Sequence, residues 1–164
     1  MGESAWPEDW DDLKAGLGCA MCAMRGAEDN GYGLRVLHGR YADVYLNRAV
    51  LRGYAVAIWN GSHVCEPTQL SRDQASGFFA ELLSVGRAVE DHFRPVKMNY
   101  EVLGNSLPHL HTHVIPRYRV DPAPGEPLPS ALLQRDHSEE KQFNIDVAAL
   151  RDLLGYEPML QRRV

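Results

Sequence analysis

Residues His109-Leu110-His111-Thr112-His113 put three imidazoles at a spacing of two. Imidazole ligates metals, moves protons near neutral pH and can attack phosphorus as a nucleophile. In a strand, alternate residues share a face. The spacing therefore predicts three rings on one side, with successive Cα atoms roughly 6–7 Å apart. Leu110, Thr112 and Val114 would then point the other way. A plain core strand fills one face with apolar groups, and imidazoles there are costly unless each finds a partner. Two neighbouring rings cannot both be cationic cheaply, so their titrations should be coupled.

A second group lies far upstream. Cys19-Ala20-Met21-Cys22 is a CxxC pair. Alone it fits a redox pair, half of a metal site, or two ordinary buried thiols. The redox reading wants a thioredoxin-like strand–helix–strand setting, which the neighbouring sequence lacks. A closed zinc site needs two further soft or borderline ligands. Cys65 is read as packing. His38 falls at a predicted turn. His92 ends a helix, where an imidazolium suits the dipole. His137 sits in a solvated charge run. Arg117 fits a phosphate contact or an ion pair equally. Tyr54 and Trp59 are read as core.

These residues need a frame. Leu34–Val36–His38 and Ala42–Val44–Leu46 alternate with polar residues, which predicts two antiparallel strands around a turn at His38-Gly39-Arg40. Tyr54 to Trp59 reads as a buried strand ended by Asn60-Gly61. Ser71 to Phe93 is the clearest helix: Ser71 and Gln74 form a capping-box pattern, and Phe78, Leu82, Val85 and Val89 make one stripe. Gly77 and Gly86 each cost this helix up to about 1 kcal/mol of propensity, so packing must hold it. Lys97–Leu103 and Leu110–Tyr118 read as two more strands, joined at Gly104-Asn105-Ser106. The four prolines between Asp121 and Pro129 predict irregular chain. Ala131–Gln134 and Val147–Leu154 are short helical candidates. The expected fold is α+β: an antiparallel sheet of about five strands, one long helix and a shorter C-terminal helix. Residues 1–18 are an N-terminal segment, 19–120 the main domain and 121–164 a loose C-terminal extension.

Composition narrows the function classes. The chain has 164 residues, 45% hydrophobic and 24% charged, an ordinary balance for one globular domain. No apolar run approaches the ~18 residues of a membrane span. Residues 1–18 carry acids and two Trp instead of a basic start and apolar centre, so no secretory signal is expected. A net charge of −5 argues against nucleic acid as partner and leaves a small nucleotide open. Three cysteines are too few for a disulfide framework and suit a reducing cytoplasm.

The segment Gly104-Asn105-Ser106-Leu107-Pro108-His109-Leu110-His111-Thr112-His113-Val114-Ile115-Pro116-Arg117 resembles the motif of the histidine triad (HIT) superfamily, His-φ-His-φ-His-φ-φ with φ hydrophobic. Thr112 is the weak fit. Upstream, Leu46-Asn47-Arg48, Gly53-Tyr54, the strand to Trp59, then Glu66-Pro67-Thr68-Gln69-Leu70-Ser71 and the long helix resemble the fragile-histidine-triad branch. The similarity covers about residues 40–118.

The resemblance implies a nucleotidyl hydrolase or transferase. His111 would be the nucleophile at the α-phosphorus, forming a covalent nucleotidyl-histidine. His113 would bond the phosphate or leaving-group side. Asn105 and Ser106 would hold phosphate oxygens, and Asn47 would contact ribose. It also implies a structural zinc on Cys19, Cys22, His63 and His109, as in bacterial HIT proteins, and a homodimer. The implied substrate is a dinucleoside polyphosphate such as diadenosine tetraphosphate. The alternatives are a phosphorylase with phosphate as acceptor, an adenosine phosphoramidate hydrolase, and a non-enzymatic nucleotide-binding regulatory module.

Overall fold

The computed structural model describes residues 6–137 and 139–156. The first five residues of the N-terminal segment, Ser138 of the charge run and residues 157–164 of the extension lie outside the described residues. Five strands form one antiparallel sheet: β1 (Gly33–His38), β2 (Ala42–Asn47), β3 (Ala55–Trp59), β4 (Lys97–Glu101) and β5 (His111–Arg117). Their order is β1-β2-β3-β5-β4, so β5 is internal and β4 forms an edge. Four α-helices, α1 (Trp10–Lys14), α2 (Ala20–Ala23), α3 (Arg72–Phe93) and α4 (Glu140–Leu154), and two short 3-10 helices, Pro67–Gln69 and Ser130–Leu133, complete the described chain.

The expected α+β architecture is the observed one. Helix α3 begins with the predicted capping box, Ser71 and Gln74 each receiving the other's backbone N–H. Its stripe of Phe78, Leu82, Val85 and Val89 packs on Val44, Leu46, Ala55, Ala57, Leu110 and Val114, on one face of the sheet. Both helix glycines have a packing reason. A Cβ at Gly77 would sit 2.1 Å from the Tyr41 ring, and one at Gly86 2.2 Å from the Tyr100 hydroxyl. Glu81 of the same helix reaches the β1–β2 turn and accepts from the N–H groups of Arg40, Tyr41 and Ala42.

The C-terminal part differs from its reading as a loose extension. Helix α4 starts at Glu140, seven residues before the predicted helix, and its Val147 and Leu150 are buried in the main core. Its first half is polar and shows no apolar period. Asp146 anchors that half instead: this buried carboxylate accepts from Nε and one terminal nitrogen of Arg52, each at 2.7 Å, and bonds His92 at 2.8 Å. His92 therefore has a buried partner rather than a solvated helix end. Arg151 and Tyr156 close the other end by bonding Glu28 and, in the case of Arg151, the Arg35 carbonyl.

Candidate active site and metal centre

Strand β5 begins at His111, not Leu110, because His109 and Leu110 still belong to the bend that follows Pro108. The register sets His113 opposite Val56 and His111 opposite Ile58. Val56 and Ile58 belong to the second apolar cluster, away from α3. The His111 and His113 rings meet edge to face on that side, their centroids 4.9 Å apart. His109 does not join them as a third ring on the strand. Its side chain turns instead to the cysteine–histidine cluster described below.

Hydrogen bonding fixes the tautomers. His111 Nδ1 lies 2.6 Å from the His109 carbonyl oxygen. A carbonyl only accepts, so Nδ1 carries the proton and Nε2 keeps its lone pair. Burial also lowers the His111 pKa, which keeps the ring neutral and its Nε2 lone pair free. His113 Nδ1 lies 2.6 Å from the Tyr54 hydroxyl, and the two rings are parallel within 6°. Burial holds the Tyr54 phenol protonated by raising its pKa. Where the phenol donates to Nδ1, the proton of His113 sits on Nε2. Burial, reinforced by His111, pushes the His113 pKa down to about 4, so the ring is neutral at neutral pH. Tyr54, read from sequence as core, is thus both buried and part of the site. The sequence placed it at the start of the buried strand read over Tyr54–Trp59 and within the family resemblance, and neither pointed to a hydrogen bond with His113.

The other expected site residues are spread around this pair. Asn105 and Ser106 are exposed on the loop that leads from β4 to His109. Asn47 ends β2, on the face shared by Tyr45 and Val56, and its backbone N–H bonds the Tyr54 carbonyl. Its buried Oδ1 has no hydrogen-bond partner among the described residues. Asn47 also lines a cavity of about 270 Å³ toward α4, with Arg48, Arg52 and Phe143. A smaller cleft beside Ile58 is lined by Met21, Met24, Tyr45 and Asn60. Arg117 is an internal brace: it pairs with Asp121, bonds Asn99, and donates to the Ala123 and Glu126 carbonyls.

Cys19, Cys22, His63 and His109 converge, with ligand atoms all within 4.8 Å of one another. Sulfur-to-nitrogen separations are 3.4 Å for Cys19–His109, 3.4 Å for Cys22–His63 and 3.5 Å for Cys22–His109. Bonds of about 2.3 Å to sulfur and 2.0–2.1 Å to nitrogen in a tetrahedron give an edge of roughly 3.6 Å, so the four atoms fit a metal ion. The tautomer agrees. His109 Nε2 donates to the Trp59 carbonyl at 2.9 Å, leaving Nδ1 bare toward both sulfurs. Burial raises the Cys22 thiol pKa, an effect a bound cation reverses. Cys65 stands outside the set, with its sulfur 3.7 Å from His63 Nε2 and 3.1 Å from the Pro108 carbonyl.

Residues 42–120 match the family model of the HIT domain. The chain carries a HIT domain. Solved HIT structures share its fold. A histidine triad protein from Marinobacter aquaeolei VT8 is 26% identical, with a TM-score of 0.66 over 81% of this chain and 93% of that one. A zinc-bound histidine triad family protein from Mycobacterium smegmatis is 21% identical, with a TM-score of 0.61 over 86% and 99%. A histidine triad nucleotide-binding protein from Sulfolobus tokodaii is 17% identical, with a TM-score of 0.64 over 84% and 92%. No curated protein matches the chain. Among the described residues, no helix is long and apolar enough to cross a membrane.

Proposed function

We propose that this HIT-domain protein is a nucleotidyl hydrolase acting on dinucleoside polyphosphates, diadenosine tetraphosphate being the model substrate. HIT proteins are in general nucleotide hydrolases or transferases, and one observation carries the catalytic reading here. The His109 carbonyl claims the Nδ1 proton of His111, so Nε2 is unprotonated beside the neutral His113 ring.

In the first step His111 Nε2 attacks the α-phosphorus. A P–N bond forms, the P–O bond to the leaving group breaks, and the leaving phosphate departs as an anion. His113 Nε2–H, Asn105 and Ser106 steady the oxygens on which charge develops. Asn47 offers its unpartnered Oδ1 to a ribose hydroxyl. In the second step water forms a P–O bond, the P–N bond breaks and a water proton goes to solvent. Splitting the displacement in two is the gain of covalent catalysis. Phosphate in place of water would make the protein a phosphorylase, and adenosine phosphoramidate would present the same phosphorus with a different leaving group. A regulatory nucleotide-binding module would keep the pocket without turnover.

Zinc on Cys19, Cys22, His63 and His109 is part of this proposal, in a structural role. The bound ion would tie the N-terminal segment to the residue whose carbonyl orients His111. We expect the protein to work as a homodimer in the cytoplasm.

The test uses a nucleotide labelled in its α-phosphate. Wild-type protein quenched in mid-turnover should carry acid-labile label, and His111→Ala should carry none and lose turnover while keeping its circular dichroism. Full activity in His111→Ala would overturn the assignment. Running the reaction with and without phosphate separates hydrolase from phosphorylase by product.

A further inference from the structure

A cavity of about 310 Å³ lies between the N-terminal segment and the loop before β5. Trp6, Trp10 and Lys14 form one wall, and Glu66, Asn105 and Pro108 stand among the residues of the other. The two indoles are 4.6 Å apart with their planes tilted by 44°, so they make an open V rather than a closed stack. Neither belongs to a core cluster, and α1 has no buried residue. Trp6 is 61% exposed. Two large aromatics that pack on each other at the surface, outside both core clusters, mark a binding wall.

Its position says what it would bind. Pro108 is three residues from His111, at most about 11 Å of extended chain. Asn105 lies on the loop expected to hold phosphate oxygens. A group joined to the reacting phosphorus through bridging phosphates can reach this far. Glu66 disfavours an anion inside the cavity, whereas a neutral flat ring can stack on indole. Lys14 offers its cation to the phosphates that lead there.

We propose that this cavity takes the base of the departing nucleotide, stacked on Trp6 and Trp10. The inference rests on the nucleotidyl-transfer reading and makes it narrower, because it requires a second nucleoside on the substrate. Trp59, the remaining tryptophan, is 3% exposed and is retained in a Trp6→Ala/Trp10→Ala double variant, so the emission change lost in that variant reports Trp6 and Trp10.

A methylene-bridged diadenosine tetraphosphate should quench the emission of the 164-residue chain, and AMP should quench it far less. Trp6→Ala and Trp10→Ala should each weaken binding of that analogue about tenfold, the size of one base–aromatic stack. They should lower by the same factor the ratio of kcat/KM for diadenosine tetraphosphate to kcat/KM for adenosine phosphoramidate. Trp6 is so exposed that its truncation leaves folding intact. Equal quenching by AMP and the analogue, unchanged analogue affinity in both variants, or an unchanged ratio would overturn the cavity's role. Selective quenching without any turnover would instead overturn the enzymatic reading and leave the cavity standing. Turnover with no change in either variant would do the reverse.

Discussion

Tyr54 carries the most informative single oxygen in the site. Its hydroxyl meets His113 Nδ1 at 2.6 Å, the contact through which we propose it sets the tautomer, and removing it leaves the ring's packing in place. Tyr54→Phe should lower kcat about tenfold with little change in KM, and ¹⁵N shifts of His113 should show a mixture of tautomers. Unchanged shifts would reduce Tyr54 to packing. The depressed pKa of His113 also sets a pH dependence. The unfolded chain binds this proton near the ordinary 6.5 and the folded chain only near about 4. Between those values the unfolded state holds more protons, so stability is lost as pH falls from 6.5 toward 4. Urea midpoints measured across that window should fall, and fall less steeply in His113→Gln.

Among the elements, strand β5 and helix α3 were legible because a long period repeats in each. The register that separates His111 and His113 from the α3 side follows from strand alternation alone. What alternation missed is local. His109 lies outside the β5 ladder, after Pro108, and turns toward Cys19, Cys22 and His63. The polar half of α4 was invisible because Asp146, Arg52, His92 and Gln142 hold it through charge rather than an apolar stripe. The role of Tyr54 was hidden for another reason: a buried phenol and a tautomer-setting phenol look the same in a sequence. The α2 element carries its own prediction. Purified protein should hold about one zinc per chain, and Cys19→Ser/Cys22→Ser should hold almost none and melt at a lower temperature. Full zinc content in that variant would exclude these ligands.

At the scale of the molecule, the sheet has two edges, and they differ. Edge strand β4 and its flanks expose Val96, Tyr100, Val102 and Leu103. An apolar edge of this kind favours pairing with another chain. Light scattering at micromolar concentration should give twice the chain mass, and Val102→Lys should shift it toward the monomer. A wild-type monomer would refute the dimer.

Cys19 and His109 stand 90 residues apart in the chain. At roughly 5–20 residues per second, the two thiols leave the ribosome about 5–18 s before the imidazole that meets them. During that interval the pair is without half of its partners and open to oxidants or to the wrong metal. The cluster is therefore vulnerable during synthesis rather than after it, and expression in metal-poor or oxidising cells should yield folded chains with an oxidised Cys19–Cys22 pair.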